Sequence, residues 1–365
     1  MRPTTFVLLP RVPVLALVTL LVIGSLPAGS SAAPAQSSTA AALTVTFCDV
    51  GQNDASVVQA GDAAVMIDTG HWRHTNALDC LDELGVDRLD LLVVTHAHSD
   101  HVGQARQVLD HVQVDEVWRV DFDPSEDAAH RDDGDPRRLV RDLFDPRWRY
   151  AERDLEAYRE FDAEARRRTE AGELRLVDPL SSHIAGFGPL EVLVLHPDEL
   201  APGDEGYDDI HDRGNIALRI EADVQGHGDA SVLFTGDAEA QAERRMVAGH
   251  ADQLAADVYQ MGHHGSATST TQELVDAGGF ELAVWSAATD SPYGHPHREP
   301  VRRLVEAGVT VYGTGEHGTV TARADASGWS VATEIDAPPT QPPAPGLLEG
   351  LIGGVLGRFA SPSWG

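Results

Sequence analysis

Thr95-His96-Ala97-His98-Ser99-Asp100-His101 follows directly on the apolar run Leu91-Leu92-Val93-Val94. Four side chains able to ligate a metal stand within six residues, behind a segment whose length and composition read as a buried strand. A strand end followed by a tight loop can aim alternate side chains into one cavity. Imidazole and carboxylate suit zinc and similar divalent ions. The spacing assigns His96 and His98 to one ion, and Asp100 with His101 to a second. A polar loop carrying surface histidines is the plainer alternative, and the buried strand in front of the motif speaks against it.

Two further strands end in ligand residues. Residues 231–234 run into Thr235-Gly236-Asp237, and residues 256–261 run into Gly262-His263-His264-Gly265. Three such strand ends have the logic of a two-metal hydrolase. One carboxylate bridges two ions about 3.5–4 Å apart, with a hydroxide between them that attacks at neutral pH. Other strands are expected at 43–47, 63–67 (ending in Asp68-Thr69-Gly70), 190–195, 216–220, 282–286, 309–314 and 319–323. A helix is expected over 75–84, closed by Gly85. Strands and helices alternate, as in a layered α/β domain. Residues 121–173 break the rhythm with Asp, Glu and Arg. They read as a charged helical insertion on the active-site side, helical over 155–171, or as a solvated excursion without a role.

The chain of 365 residues allows one large domain or two modest ones. It carries 58 acidic and 27 basic residues, every basic one an arginine. A hydrophobic content of 42% excludes a disordered acidic protein. A lysine-free acidic surface suits high salt, where self-repulsion is screened, so halophilic origin is expected. The same charge argues against broad, unassisted binding to nucleic acid, since phosphates are attracted by basic patches. Arg2 and Arg11 flank an apolar run over 12–23, followed by small residues up to Ala33-Pro34-Ala35. Residues 1–35 therefore read as a secretory signal peptide, with an uncleaved anchor as the alternative. The absence of a cysteine near that exit speaks against a lipid anchor. Cys48, on a strand, and Cys80, on the apolar face of a short helix, read as two buried free thiols in preference to a disulfide. A linker over 36–42 leads into the domain at 43–335. A Pro-rich linker over 336–346 follows, and then a tail over 347–365 whose apolar stripe would dock on a membrane, a partner or the domain itself.

The set Phe47-Cys48-Asp49-Val50-Gly51-Gln52-Asn53-Asp54-Ala55, Ile67-Asp68-Thr69-Gly70, residues 95–101, Phe234-Thr235-Gly236-Asp237-Ala238-Glu239, Gly262-His263-His264-Gly265-Ser266 and Tyr293-Gly294-His295-Pro296-His297 resembles the metallo-β-lactamase superfamily. More closely, it resembles the C-terminal hydrolase domain of ComEC-type DNA-uptake proteins, here in a stand-alone, exported version. The resemblance covers roughly residues 43–334. It implies an α/β fold, the αββα four-layer metallo-β-lactamase sandwich, with two divalent ions, zinc first and manganese the alternative. It makes Asp237 the bridging carboxylate and His263 the residue completing the second site, with His264 a neighbour or substrate contact. Asp68 orients a ligand imidazole or caps its turn, and Asp49, Gln52 and Asp54 hold the first loop against the site.

In many members of the superfamily a further histidine completes the first site. Asn215 stands there in this chain, contacting substrate or water and leaving the first ion weakly held. His196 is the alternative ligand, or a structural residue at a strand end. Asn53 and Cys48 replace a usual Gly and Leu. His295 and His297 flank Pro296 near the cleft, and His295 joins Asp100 and Asp237 as the catalytic set. The expected function is an exported metal-dependent phosphodiesterase or nuclease, held at the cell envelope. The alternatives are a lactamase- or lactonase-type hydrolase, from which the motif at 293–297 points away, and a non-catalytic metal-binding subunit of a DNA-uptake system.

Overall fold

The computed structural model describes residues 39–74, 76–121, 148–207 and 209–343, with side chains of the long helix from Leu155 onward. The first part of the chain supplies β1 (Leu43–Phe47), β2 (Ser56–Ala60), β3 (Ala63–Ile67), β4 (Arg88–Leu89), β5 (Leu91–Val94), β6 (Gln113–Val114), β7 (Glu116–Arg119) and β8 (Arg175–Val177). The second supplies β9 (Ile184–Phe187), β10 (Leu190–His196), β11 (Ala217–Val224), β12 (Gly228–Phe234), β13 (Val258–Gln260), β14 (Leu282–Trp285) and β15 (Thr310–Gly313), after which β16 (Val320–Asp325) and β17 (Gly328–Thr333) return to the first sheet. The eight-stranded sheet has the order β17-β16-β1-β2-β3-β5-β7-β8, and the seven-stranded sheet β15-β14-β13-β12-β11-β10-β9. β4 and β6 form a separate ribbon. Helices α1 (Asn76–Glu83), α2 (Ser99–Val102), α3 (Ala105–His111), α4 (Trp148–Glu170), α5 (Ala240–His250), α6 (Gln272–Gly278), α7 (Arg298–Glu306) and α8 (Thr314–His317) fill the remaining layers. This is the αββα metallo-β-lactamase sandwich expected from the sequence.

The parallel strands decide where the site lies. β3, β5, β7 and β8 run parallel, as do β12 to β15. Their connections are crossovers, so the carboxyl ends of each set open on one edge. β5 is buried at all four residues, as a parallel strand covered on both faces must be. Between the sheets, Phe47 of β1 meets Phe234 of β12 with ring centroids 6.3 Å apart. A second cluster, including Leu233, Tyr259 and Trp285 from the outer face of the second sheet, packs with Met246 of α5 and Leu304 of α7.

Three features differ from, or sharpen, the sequence reading. Cys48 and Cys80 are disulfide-bonded with Cα atoms 6.1 Å apart, because α1 lies against the end of β1; the expectation of two free thiols is corrected. The charged segment contains a helix that starts at Trp148, earlier than expected. Phe161 and Ala165 of that helix are fully buried, and the Tyr158 hydroxyl donates to Val120 O at 2.9 Å. It packs on α2 and α3 and so belongs to the outer helical layer. The start of the Pro-rich stretch is docked: Thr340 N donates to Val311 O at 2.7 Å, and Trp285 Nε1 donates to Thr340 Oγ1 at 3.2 Å. The N-terminal segment and the tail over 347–365 lie outside the described residues, among which no helix is long and apolar enough to cross a membrane.

Candidate metal centre

Asp237, just beyond β12, is 2% exposed, and its carboxylate faces two groups of imidazoles. Oδ2 lies 3.6 Å from His96 Nε2 and 3.5 Å from His263 Nε2; Oδ1 lies 3.3 Å from His101 Nε2 and 3.8 Å from His264 Nε2. His98 Nδ1 stands 3.1 Å from His96 Nε2. His264 Nε2 lies 3.2 Å from Asp100 Oδ2 and 3.3 Å from His101 Nε2. Two sets have ligand-capable atoms mutually within 4.8 Å: His96, His98, His211 and Asp237, and Asp54, His101, Asp237 and His264.

The surrounding hydrogen bonds fix which nitrogen of each ring is free. His101 Nδ1 donates to Asp68 Oδ2 at 2.7 Å. Thr95 Oγ1 donates to the same oxygen at 2.8 Å and accepts from His96 Nδ1 at 3.1 Å. The Thr95 amide donates to Asp68 Oδ1 at 2.8 Å. Asp68 thus orients one imidazole directly and another through a hydroxyl, which is how such centres hold their ligands. A carbonyl can only accept, so the 2.9 Å contact between His264 Nδ1 and Ser286 O places a proton on Nδ1 and leaves Nε2 for the centre.

Local backbone serves the same end. His263 and His264 both have left-handed φ, 50° and 56°, a conformation uncommon outside glycine and often found where function demands it. Reversing the chain at two consecutive residues turns both rings toward Asp237. Gly265, at φ +81°, is required: a Cβ there would sit 2.8 Å from Pro296 Cβ. That close approach carries residues 293–297 to the cleft, secured by the His297 amide on Gly265 O at 2.9 Å.

Electrostatics follow from burying several carboxylates and imidazoles together. Burial works to raise Asp237, yet the charges of His263, His101 and His264 hold it well below the carboxylate range. Burial works to lower His264, but Asp237, Asp54 and Asp100 raise it to about 9. His101 is likewise raised, against its burial, by Asp237 and Asp68. Burial, with His211 beside it, pushes His98 down to about 4. Burial pushes Asp54 up. Asp54 Oδ1 and Oδ2, Asp237 Oδ1 and His211 Nε2 are buried without a hydrogen-bond partner. Such atoms are rare in native interiors, and a pair of cations would satisfy all four. The donor set, imidazole nitrogen with carboxylate oxygen, fits zinc or manganese.

His96, His98, Asp100, His101 and Asp237 are brought together. For the second group, His264 is the histidine whose free nitrogen joins Asp100 and His101. His263 faces the other oxygen of Asp237 and directs Nδ1 at Glu239 Oε1, 3.4 Å away. Asn215 is fully buried. It donates to Thr235 O at 2.9 Å and accepts from the Asp237 amide at 3.0 Å, so it positions the backbone of Asp237. His196 Nε2 donates to Asp212 O at 2.9 Å, outside both groups. His295 Nδ1 accepts from the Gln52 amide at 3.3 Å, and its ring stacks near that of His264, with centroids 6.1 Å apart. His297 Nδ1 accepts from the Ala267 amide at 2.9 Å. Sequence reasoning missed two residues: Asp54, whose carboxylate enters the second group, and His211. The one available signal for His211 was its place four residues before Asn215.

A family model described as metallo-beta-lactamase superfamily matches residues 48–217. ComE operon protein 3 of Bacillus subtilis (strain 168) is 26% identical over 298 residues, 76% of this chain and 33% of its own length. Competence protein ComA of Neisseria gonorrhoeae is 26% identical over 287 residues, 78% of this chain and 31% of its own. The chain therefore spans about a third of the length of these relatives. Among solved structures, the metallo hydrolase Igni18 from Ignicoccus hospitalis KIN4/I aligns with a TM-score of 0.42 at 18% identity, covering 76% of this chain and 98% of its own.

Proposed function

From a chain that carries the metallo-β-lactamase fold and is related along most of its length to ComE operon protein 3 and ComA, we propose an exported, metal-dependent phosphodiesterase that acts on nucleic acid. The carrying observation is the single buried carboxylate of Asp237 with one histidine group at each oxygen. His96 and His98 with Asp237 would hold one divalent ion; Asp100, His101 and His264 with Asp237 would hold the other, with Asp54 beside it. Bound ions lower the pKa of water and neutralise charge developing on oxygen. The chain's own groups supply the rest. Asp68 and Thr95 engage Nδ1 of His101 and of His96, so that Nε2 is the nitrogen each ring turns to the centre. Asn215 fixes the turn that presents Asp237. His295 is pushed down to about 4 by burial and by the neighbouring His264 and His297. It is therefore a neutral ring at pH 7, and with Gln52 donating to its Nδ1 it presents an Nε2–H donor to a phosphoryl oxygen.

Export is supported by the signal-like N-terminus and by the disulfide, which persists in oxidising compartments. Nucleic acid is the substrate class that the resemblance to ComEC-type DNA-uptake proteins implies, and one relative is named Competence protein ComA. The test is hydrolysis of bis-p-nitrophenyl phosphate, single-stranded DNA and nitrocefin by the zinc- and manganese-loaded protein, in low and in molar salt. Cleavage of the first two, lost on chelation, is expected. Turnover of nitrocefin alone would replace the phosphodiesterase reading with a lactamase-type one.

A further inference from the structure

We propose that His211 is the histidine that completes the first site, so that the ion ties the turn over 209–215 to the two sheets. This rests on the reading of the centre as binding two ions. The His211 ring lies among those of His98, His263 and His96, with centroids 5.0, 4.9 and 5.9 Å away. Its ligand-capable atom is mutually within 4.8 Å of those of His96, His98 and Asp237. Nε2 is buried and has no hydrogen-bond partner. Nδ1 faces Glu239 Oε1 at 3.9 Å and Asp209 Oδ1 at 4.0 Å, so carboxylates stand behind the ring, as they do behind ligating imidazoles, here beyond direct hydrogen-bond distance. His263 is the rival third ligand. Its Nε2 reaches Asp237 Oδ2, but it is not one of the four mutually close atoms.

The loop is shaped to present this ring. Asp209 Oδ1 accepts from the His211 amide at 2.8 Å. His196 Nε2 donates to Asp212 O, and Arg245 Nε pairs with Asp212 Oδ2 at 3.4 Å. Past the loop, the Ile216 amide donates to Thr95 O at 2.8 Å, joining its end to the His96 strand. The ligand that Asn215 does not supply therefore comes from four residues upstream, on a turn rather than a strand. His196 is a positioning residue for it. Metal in the first site and order in this loop are then linked.

The full chain, stripped by chelation, is titrated with zinc against a chromophoric chelator, and amide hydrogen exchange is followed over residues 200–213. The wild type should bind two ions, and zinc should slow exchange in the loop. His211→Ala should weaken one ion by about 100-fold or more, since changes to groups behind a ligand already cost about 10–100-fold. It should leave the other ion unchanged and abolish the loop's protection by zinc. His211→Asp, which returns a ligand to the loop, should recover part of the affinity and so separates ligand loss from damage to the fold. His263→Ala should keep both ions within a few-fold. His211→Ala with wild-type affinity for both ions and intact protection would overturn the assignment, as would loss of one ion in His263→Ala alone. A wild type that binds no zinc would overturn the two-ion reading itself, and is recognised before any variant is made.

Discussion

The free nitrogen of each site imidazole is set by what its other nitrogen touches: Thr95 for His96, Asp68 for His101 and Ser286 for His264. Asp68→Asn should therefore lower metal affinity about 10–100-fold without touching an ion, as read by chelator competition, while the fold survives by circular dichroism. The raised histidines give a pH signature. His264 is raised to about 9 from an ordinary value near 6.5. Its pairing with the buried carboxylates thus stabilises the metal-free protein fully below about pH 6.5 and is lost as pH climbs through 9. Metal-free protein should lose thermal stability over that window, and metal-loaded protein should not. Zinc uptake at pH 7.5 should release protons, measurable calorimetrically in buffers of different ionisation enthalpy; a buffer-independent heat would refute the protonated cluster. At this scale, His96 to His101 were legible because strand and ligands are contiguous. His211 was not, because one histidine in an Asp-rich turn has no local signal. Asp54 read as loop scaffolding because its role depends on β1 and α2 meeting in space.

Elements carry the next level of constraint. The disulfide joins the end of β1, which leads into the Asp49–Asp54 loop, to α1 on the crossover between β3 and β5. It closes a loop with a sequence separation of 32, for which chain entropy gives about 3.5–4 kcal/mol of stabilisation. Reduction, or Cys48→Ser with Cys80→Ser, should lower the denaturation midpoint accordingly in urea; no shift would show that the closed loop contributes nothing. Strands rich in β-branched residues and followed by turn signals were legible, β1, β3 and β5 to within a residue. β8 and β9 were not: Arg175–Val177 and Ile184–Phe187 are short and half-exposed, and edge strands of that kind form because a neighbour offers its backbone. The docked stretch at Thr340 was read as linker for the same reason. Its order comes from Trp285, Val311 and Glu316, distant in sequence.

At the scale of the whole molecule, a formal net charge of −31 adds self-repulsion to the cost of compactness at low ionic strength. Screening shortens from about 30 Å at 0.01 M to about 3 Å at 1 M salt. The melting temperature should therefore rise as potassium chloride is taken from 0.1 to 2 M, and a flat or falling profile would contradict adaptation to salt. Two sheets packed face to face, with the carboxyl ends of their parallel strands opening on one edge, bring β3, β5, β12 and β13 to one place, and the carboxylate of Asp237 stands between them. Counting ions per chain by plasma mass spectrometry after gel filtration, for wild type and Asp237→Asn, tests its bridging role most directly. Two ions in the wild type and at most one in the variant are predicted; a variant that still retains two would contradict a centre bridged by Asp237.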